Sequence, residues 1–183
     1  MPNITIHKTS EDVPLPLYYQ AETFIRLTWA DDEDYDMDDG LDEPAVHITL
    51  SEGNTLFSYA SLISTDLALA GVTYRCYGLR SVFTFPASRK QGYGRQVVQA
   101  AGDYVSQQAD ADVALLWTEA HNIAFYERLG WVTMTTMKTL FGEPDSPEVF
   151  DEETAMMLFI SDKGRAGKAV FDTGQVYVGD EPW

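Results

Sequence analysis

The chain has 183 residues, with 29 Asp and Glu against 12 Lys and Arg, for a formal net charge of −17. That balance excludes the Lys/Arg stripes that nucleic acid or an anionic membrane surface requires, and it favours cationic ligands. The single cysteine, Cys76, excludes an internal disulfide and fits a reducing cytoplasm.

The length fits one domain over 1–183. No apolar run reaches the ~18 residues of a membrane span. The opening Met-Pro-Asn-Ile-Thr-Ile-His has no apolar stretch of the signal-peptide kind. Asn3 to His7 alternates like a short strand, and Leu15 to Trp29 reads as an amphipathic helix with Leu17, Phe24, Ile25 and Trp29 on its apolar face. Residues 31–43 follow, with Asp or Glu at nine of thirteen positions. Such a block repels itself and does not pack as a core. It is either a solvated acidic loop or a substrate-facing wall for a polycation. Tyr35 and Met37 supply apolar contacts that pure solvation does not need. A surface adapted to high salt would give the same global charge.

Ala45–Leu50 and Thr55–Ser64 read as strands joined by the turn Ser51-Glu52-Gly53-Asn54. Leu67–Ala70 and Thr73–Phe85 read as further strands around Gly71. Cys76, within that last strand, is read as a packing residue. Val82-Phe83-Thr84-Phe85 is β-branched and aromatic, and Pro86 suits a strand's end because it has no amide hydrogen to donate. Arg89-Lys90-Gln91-Gly92-Tyr93-Gly94-Arg95 then opens a helix over 92–109. Glycines let a ligand approach the backbone, and the first amides of a helix are unpaired at the positive end of its dipole. Three of the chain's 12 cations fall in these seven residues, so the turn is a candidate phosphate site. Val113–Thr118 reads as a buried strand, followed by His121-Asn122-Ile123-Ala124-Phe125-Tyr126-Glu127-Arg128-Leu129-Gly130-Trp131. Trp131–Thr136 begins another strand, 142–147 is a loop and Thr154–Ser161 is a late strand. Residues 162–183 form a Gly-rich tail. His7, His47 and His121 are scattered, so no metal site is expected, and no Gly-x-Ser-x-Gly elbow supports a hydrolase.

Two of these segments carry a family resemblance. Arg89-Lys90-Gln91-Gly92-Tyr93-Gly94 resembles the Arg/Gln-x-x-Gly-x-Gly/Ala signature of the GCN5-related N-acetyltransferases (GNAT), which bind the pyrophosphate of acetyl-CoA. Phe125-Tyr126-Glu127-Arg128-Leu129-Gly130-Trp131 resembles the family's Phe/Leu-Tyr-Glu-x-Leu-Gly-Phe segment. The resemblance implies an α/β (α+β) fold: a mixed, mostly antiparallel central sheet flanked by helices, with splayed strands at the acetyl-CoA site. It implies acetyl-CoA as cosubstrate, held by Arg89, Lys90, Gln91, Gly92, Tyr93, Gly94 and Arg95, with Asn122 nearby. The backbone of Val82, Phe83 and Thr84 would bond the pantetheine arm. Tyr126 would be the general acid. Glu119, His121 or carboxylates of the acidic block acting through water are the candidate bases, with Glu119 preferred.

A weaker resemblance is to the aminoglycoside 2′-N-acetyltransferases. These have an acidic segment before the meander and a tail ending in an acidic residue near a terminal tryptophan. It implies antibiotic resistance as the role and a cationic acceptor held by Asp32, Asp34, Tyr35, Asp36, Asp180, Glu181 and Trp183. That branch has a glutamate on the strand before the phosphate turn; this chain has Arg80. Three readings follow: an N-acetyltransferase of a cationic small amine, one of proteins or peptides, and a non-catalytic acyl-CoA-binding module. A homodimer is compatible with each.

Overall fold

The structure is a computed structural model that describes residues 1–29, 41 and 45–183. The strands are β1 (Asn3–His7), β2 (Val46–Glu52), β3 (Thr55–Leu69), β4 (Val72–Thr84), β5 (Val113–Thr118), β6 (Val132–Thr133), β7 (Lys138–Phe141), β8 (Glu148–Phe150), β9 (Thr154–Phe159) and β10 (Gln175–Tyr177). The helices are α1 (Leu15–Trp29), α2 (Tyr93–Ser106), α3 (Ile123–Glu127) and α4 (Asp162–Thr173). Seven strands form one sheet in the order β1-β2-β3-β4-β5-β9-β6, and β10-β7-β8 form a second. In the large sheet β1–β2, β2–β3, β5–β9 and β6–β9 are antiparallel, while β4–β5 is parallel. This is the mixed, mostly antiparallel sheet with helices that the resemblance implies.

The described residues divide into two compact units, 1–63 with 80–101, and 64–79 with 102–183. In the first unit Leu17, Ala21 and Ile25 recur at helical spacing on the buried face of α1, and Val13, just before the helix, is buried with them. They pack with Leu56, Tyr59 and Phe83. Phe24 stacks on Phe83 with centroids 4.4 Å apart. This core also holds polar groups, and they are paired. Tyr59 is wholly buried, and its phenol lies 2.7 Å from His47 Nδ1. Burial pushes that phenol's pKa upward. His7 Nδ1 lies 3.0 Å from the Asp12 carbonyl and Nε2 3.1 Å from Thr49 Oγ1. A neutral imidazole fits both: Nδ1–H donates to the carbonyl, and Nε2 accepts from the hydroxyl. Burial accordingly lowers the His7 pKa.

The second unit is built on β5, whose Val113, Ala114, Leu115 and Leu116 are all buried. Consecutive residues point to opposite faces, so a continuous buried run means both faces of the sheet are covered here. Leu115, Cys76, Met157 and Phe171 belong to one cluster. Cys76 is fully buried and its thiol's pKa is raised by that burial, as expected of a packing residue.

Three expectations need correction. The segments 55–64 and 67–70 are one strand, β3: Leu67 and Leu69 are buried between exposed neighbours, so the alternation continues past Ser64. Of 131–136, only Val132–Thr133 pairs, against Met157 and Met156. The Gly-rich tail contains a 12-residue helix, α4, and the strand β10. A helical glycine costs roughly 1 kcal/mol against alanine. Here close approach requires it: a Cβ on Gly164 would lie 2.1 Å from the Asp112 carbonyl oxygen, and one on Gly167 would lie 2.6 Å from Tyr74 Oη. Gly164, Gly167 and Phe171 form the helix's buried stripe. Ser161 caps it, accepting from the Gly164 amide at 2.9 Å.

Asp112 holds α4 and β4 to the start of β5. Its carboxylate accepts from Arg75 N at 2.9 Å, Ser161 Oγ at 2.6 Å and Lys163 Nζ at 2.5 Å. Burial raises its pKa, but the bonds from Lys163, Ser161 and Arg75 outweigh that and hold it below the ordinary aspartate range. We expect Asp112→Ala to cost about 3 kcal/mol at pH 7, because it strands buried partners. Urea denaturation measures this. The lowered pKa means the wild-type contribution is complete above the unfolded value and fades as pH falls through the folded one. The difference between variant and wild type should therefore shrink in acid. The depressed His7 adds a separate loss, starting as pH falls below 6.5 in both proteins.

Candidate functional site

In the first unit the site residues lie on the end of β4, the turn after it and the start of α2. Ser81 has φ +52°, a left-handed conformation rare for a non-glycine residue in a strand. Past it, Phe83 is buried against Tyr59 with centroids 5.4 Å apart, while Val82 and Thr84 are partly exposed. Ser58 Oγ donates to the Phe83 carbonyl at 2.7 Å, so the Thr84 hydroxyl donates to Ser58 Oγ at 2.9 Å. Pro86–Ser88 is a 3-10 turn. Arg89 Nε donates to the Thr84 carbonyl at 3.1 Å, closing the loop back on its own strand.

The chain is left-handed at Lys90 (φ +64°) and at Gly92 (φ +79°). A Cβ on Gly92 would meet nothing within 4 Å, so the space beside the turn is open. Gln96 N bonds Gly92 O at 3.1 Å, the first such bond of α2. The amides of Tyr93, Gly94 and Arg95 precede it and have no intrahelical acceptor. Val97, Val98 and Ala101 are buried and anchor the helix, while Arg89, Lys90 and Arg95 are exposed. Free amides, exposed cations and open space together fit a phosphate-bearing group.

In the second unit the ladder between β5 and β9 ends at Thr118↔Thr154. Glu119 follows, largely exposed, with Oε2 3.1 Å from His121 Nδ1. Asn122 stands at the start of α3 without a side-chain cap bond. Tyr126, on α3, is 7% exposed and sits edge-to-face with Phe125 and Trp131 at 4.9 and 6.3 Å. Its hydroxyl makes no hydrogen bond among the described residues. Burial, then the charge of Glu153, pushes its pKa up to about 12. Glu153 precedes β9 and is half-buried. Continuing the antiparallel register by one step places it opposite Glu119. Its own pKa is raised, first by burial and then by the charges of Glu119 and Glu152. No motif marks Glu153, and only the strand register could have found it.

The sequence matches the acetyltransferase (GNAT) family model over residues 14–131. The chain belongs to the GNAT family. No curated protein matches it by sequence. Among solved structures, the GNAT chain is similar to Escherichia coli ElaA at 18% identity and a TM-score of 0.62, over 86% of this chain and 99% of that one. An acyl-CoA N-acyltransferase from Pseudomonas aeruginosa gives 20% and 0.60, with the same coverages. An aminoglycoside 6′-N-acetyltransferase complexed with coenzyme A gives 15% and 0.58, over 86% of this chain and 97% of that one. At these identities the likeness is one of fold.

The remaining candidates of this GNAT protein divide in two. Asp32, Asp34, Tyr35 and Asp36 lie outside the described residues. In the tail, Asp180 and Glu181 are exposed, and the Asp180 carbonyl accepts from Gly142 N at 3.1 Å. Trp183 lies edge-to-face with Trp117 at 4.8 Å, on the strand that ends at Glu119. Its indole covers Gly78, where a Cβ would sit 2.1 Å from Nε1. Arg80 is half-buried, and its charge favours the ionised form of the buried Tyr59 phenol while that of Glu22 opposes it.

Proposed function

We propose that this GNAT protein transfers an acetyl group from acetyl-CoA to a primary amine of a cationic small molecule, an aminoglycoside being the leading candidate. One observation carries the cosubstrate: an acidic chain exposes Arg89, Lys90 and Arg95 around an open, left-handed turn at a helix start. When bound, acetyl-CoA supplies a thioester that an uncharged amine can attack. The amides of Gly92 to Arg95 and the three cations hold its pyrophosphate, with Gln91 and Asn122 completing the contacts. The backbone of Val82, Phe83 and Thr84 bonds the pantetheine arm. Tyr126 is the general acid: a phenol held protonated to about 12 always carries the proton that the leaving sulfur needs. The family resemblance makes Glu119 a candidate to take the amine's proton, beside His121 and carboxylates of the acidic block acting through water. Asp180, Glu181, Trp183 and the 31–43 block bind the cationic acceptor. The acid-rich tail favours a small polycation, and the resemblance to the 2′-N-acetyltransferases favours an amino sugar. A single cysteine fits a cytoplasmic enzyme.

Calorimetry tests the cosubstrate. Gly92→Glu should weaken acetyl-CoA binding at least 10-fold, because a carboxylate enters the cradle. Gly92→Asn, which tolerates a left-handed backbone, should retain most of the affinity. Equal affinity in both variants would refute the assignment.

Kinetics tests the acid. Tyr126→Phe should keep acetyl-CoA affinity and lower kcat about 10²-fold, the usual range for a lost general acid. Turnover within a factor of two of wild type would make Tyr126 a packing residue.

A panel of mono- and polyamines assayed for CoA release tests the acceptor. Each exposed charge pair is worth only ~0.2–1 kcal/mol, so selectivity needs several. Added salt should then raise KM for polyamines and aminoglycosides more steeply than for a monoamine. Parallel salt responses would assign the acidic surface to salt adaptation instead.

A further inference from the structure

The amine-acetylating reading leaves two carboxylates, Glu119 and Glu153, flanking the last pair of the β5–β9 ladder, Thr118↔Thr154, close enough for the charge of one to act on the other. They are not equivalent. The Glu119 side chain is 67% exposed and engaged with His121 at 3.1 Å. Glu153 is half-buried, and among the described residues it forms neither a hydrogen bond nor an ion pair. Beside it stands Tyr126, more than nine-tenths buried, with its hydroxyl unbonded among the described residues. The Tyr126 ring is buried, yet none of the described residues bonds its hydroxyl, and no cation among them neutralises the half-buried Glu153 carboxylate beside it. The pair marks a place completed by a ligand that brings hydrogen-bond donors and positive charge.

Building on the acetyltransfer reading, we propose that Glu153, rather than Glu119, is the catalytic residue that takes the proton of the acceptor ammonium. Once neutral, it makes Tyr126 a better acid. The charged and titratable groups facing Glu153 are Glu119 beyond β5, Glu152 on its own loop and Tyr126 on α3, with His121 acting through Glu119. Burial and two like charges raise the basicity of Glu153 above that of an exposed carboxylate. An arriving ammonium offsets both.

The protons balance. The ammonium gives one proton to the Glu153 carboxylate. The freed nitrogen lone pair forms the N–C bond with the acyl carbon, and the C–S bond breaks with its electron pair going to sulfur. Sulfur takes the Tyr126 proton, and the tyrosinate takes the second proton from the nitrogen, which keeps the third as the amide N–H. Glu153 returns its proton to water. The order matters. A phenol that holds its proton to about 12 gives it up poorly to a thiolate whose acid titrates near ~8.5. The negative charge of Glu153 is one cause of that reluctance, and deprotonating the amine removes it.

Two titrations test this without turnover. Carbon-13 NMR of side-chain carboxyls should find Glu153 titrating above the ordinary glutamate range, and lower in Glu119→Gln. The ultraviolet titration of Tyr126, isolated by difference against Tyr126→Phe, should move to lower pH in Glu153→Gln. In kinetics with the best amine of the panel, Glu153→Gln should lower kcat/KM about 10²-fold and abolish its acid limb, with acetyl-CoA affinity unchanged by calorimetry. Glu119→Gln should move that limb to lower pH without abolishing it. A Glu153 that titrates normally, a Tyr126 titration unmoved by Glu153→Gln, or an acid limb lost in Glu119→Gln but kept in Glu153→Gln would each overturn the assignment. If wild-type enzyme acetylates no amine, the reading beneath it fails too; turnover with Glu153→Gln unimpaired overturns this role alone.

Discussion

The register between β5 and β9 governs the second unit, and Asp112 sets it. Its carbonyl accepts from the amides of Ile160 and Ser161 at 2.8 and 3.2 Å, immediately before the first pair, Val113↔Phe159. Its carboxylate takes the Arg75 amide and the cap of α4. Backbone and side chain of one residue therefore fix where β9 ends against the start of β5. At the far end the same register closes with Thr118↔Thr154, the pair that Glu119 and Glu153 flank. A slip of one residue would turn every β9 side chain to the other face. It would bring polar Thr154 to the place of buried Ala155 and break the carboxylate pair. A buried charge at one end of the ladder thus bears on where the carboxylates at the other end stand.

Electrostatics divides the molecule's labour. A chain of net charge −17 presents little to attract an anion at long range, so local structure has to do it. The turn after β4 does so with exposed cations, free helix amides and a backbone made left-handed at Lys90 and Gly92. These are short-range, geometrically fixed donors. On the proposed function, the acceptor side would rely on the opposite arrangement, with many screened carboxylates and a few sheltered ones. The sheltered ones matter for proton transfer, because only partial burial changes a carboxyl's basicity.

Much of this was legible in the sequence, for identifiable reasons. The strand, glycine turn and helix start around Arg89–Arg95 follow from side-chain chemistry along the chain, as does the Phe125–Trp131 segment. Both depend on neighbours in sequence. What escaped depends on neighbours in space. The helix α4 was hidden because Gly164 and Gly167 argue against helix, and only the Asp112 carbonyl and the Tyr74 hydroxyl explain them. The length of β3 was hidden by its change from a mostly buried run to strict alternation. Glu153 was hidden because one glutamate among 29 acidic residues carries no mark until strand pairing sets it opposite another.

The seat of Trp183 on Gly78 has an optical consequence. Its indole meets that of Trp117 edge-to-face at 4.8 Å, close enough for their electronic transitions to couple. Coupled indoles give a paired band in near-ultraviolet circular dichroism that neither ring gives alone. Trp29 and Trp131 are the chain's other indoles, so the native protein carries a built-in spectroscopic gauge of whether its last residue is docked. The gauge reads at the strand that leads to Glu119, and it works with no label attached.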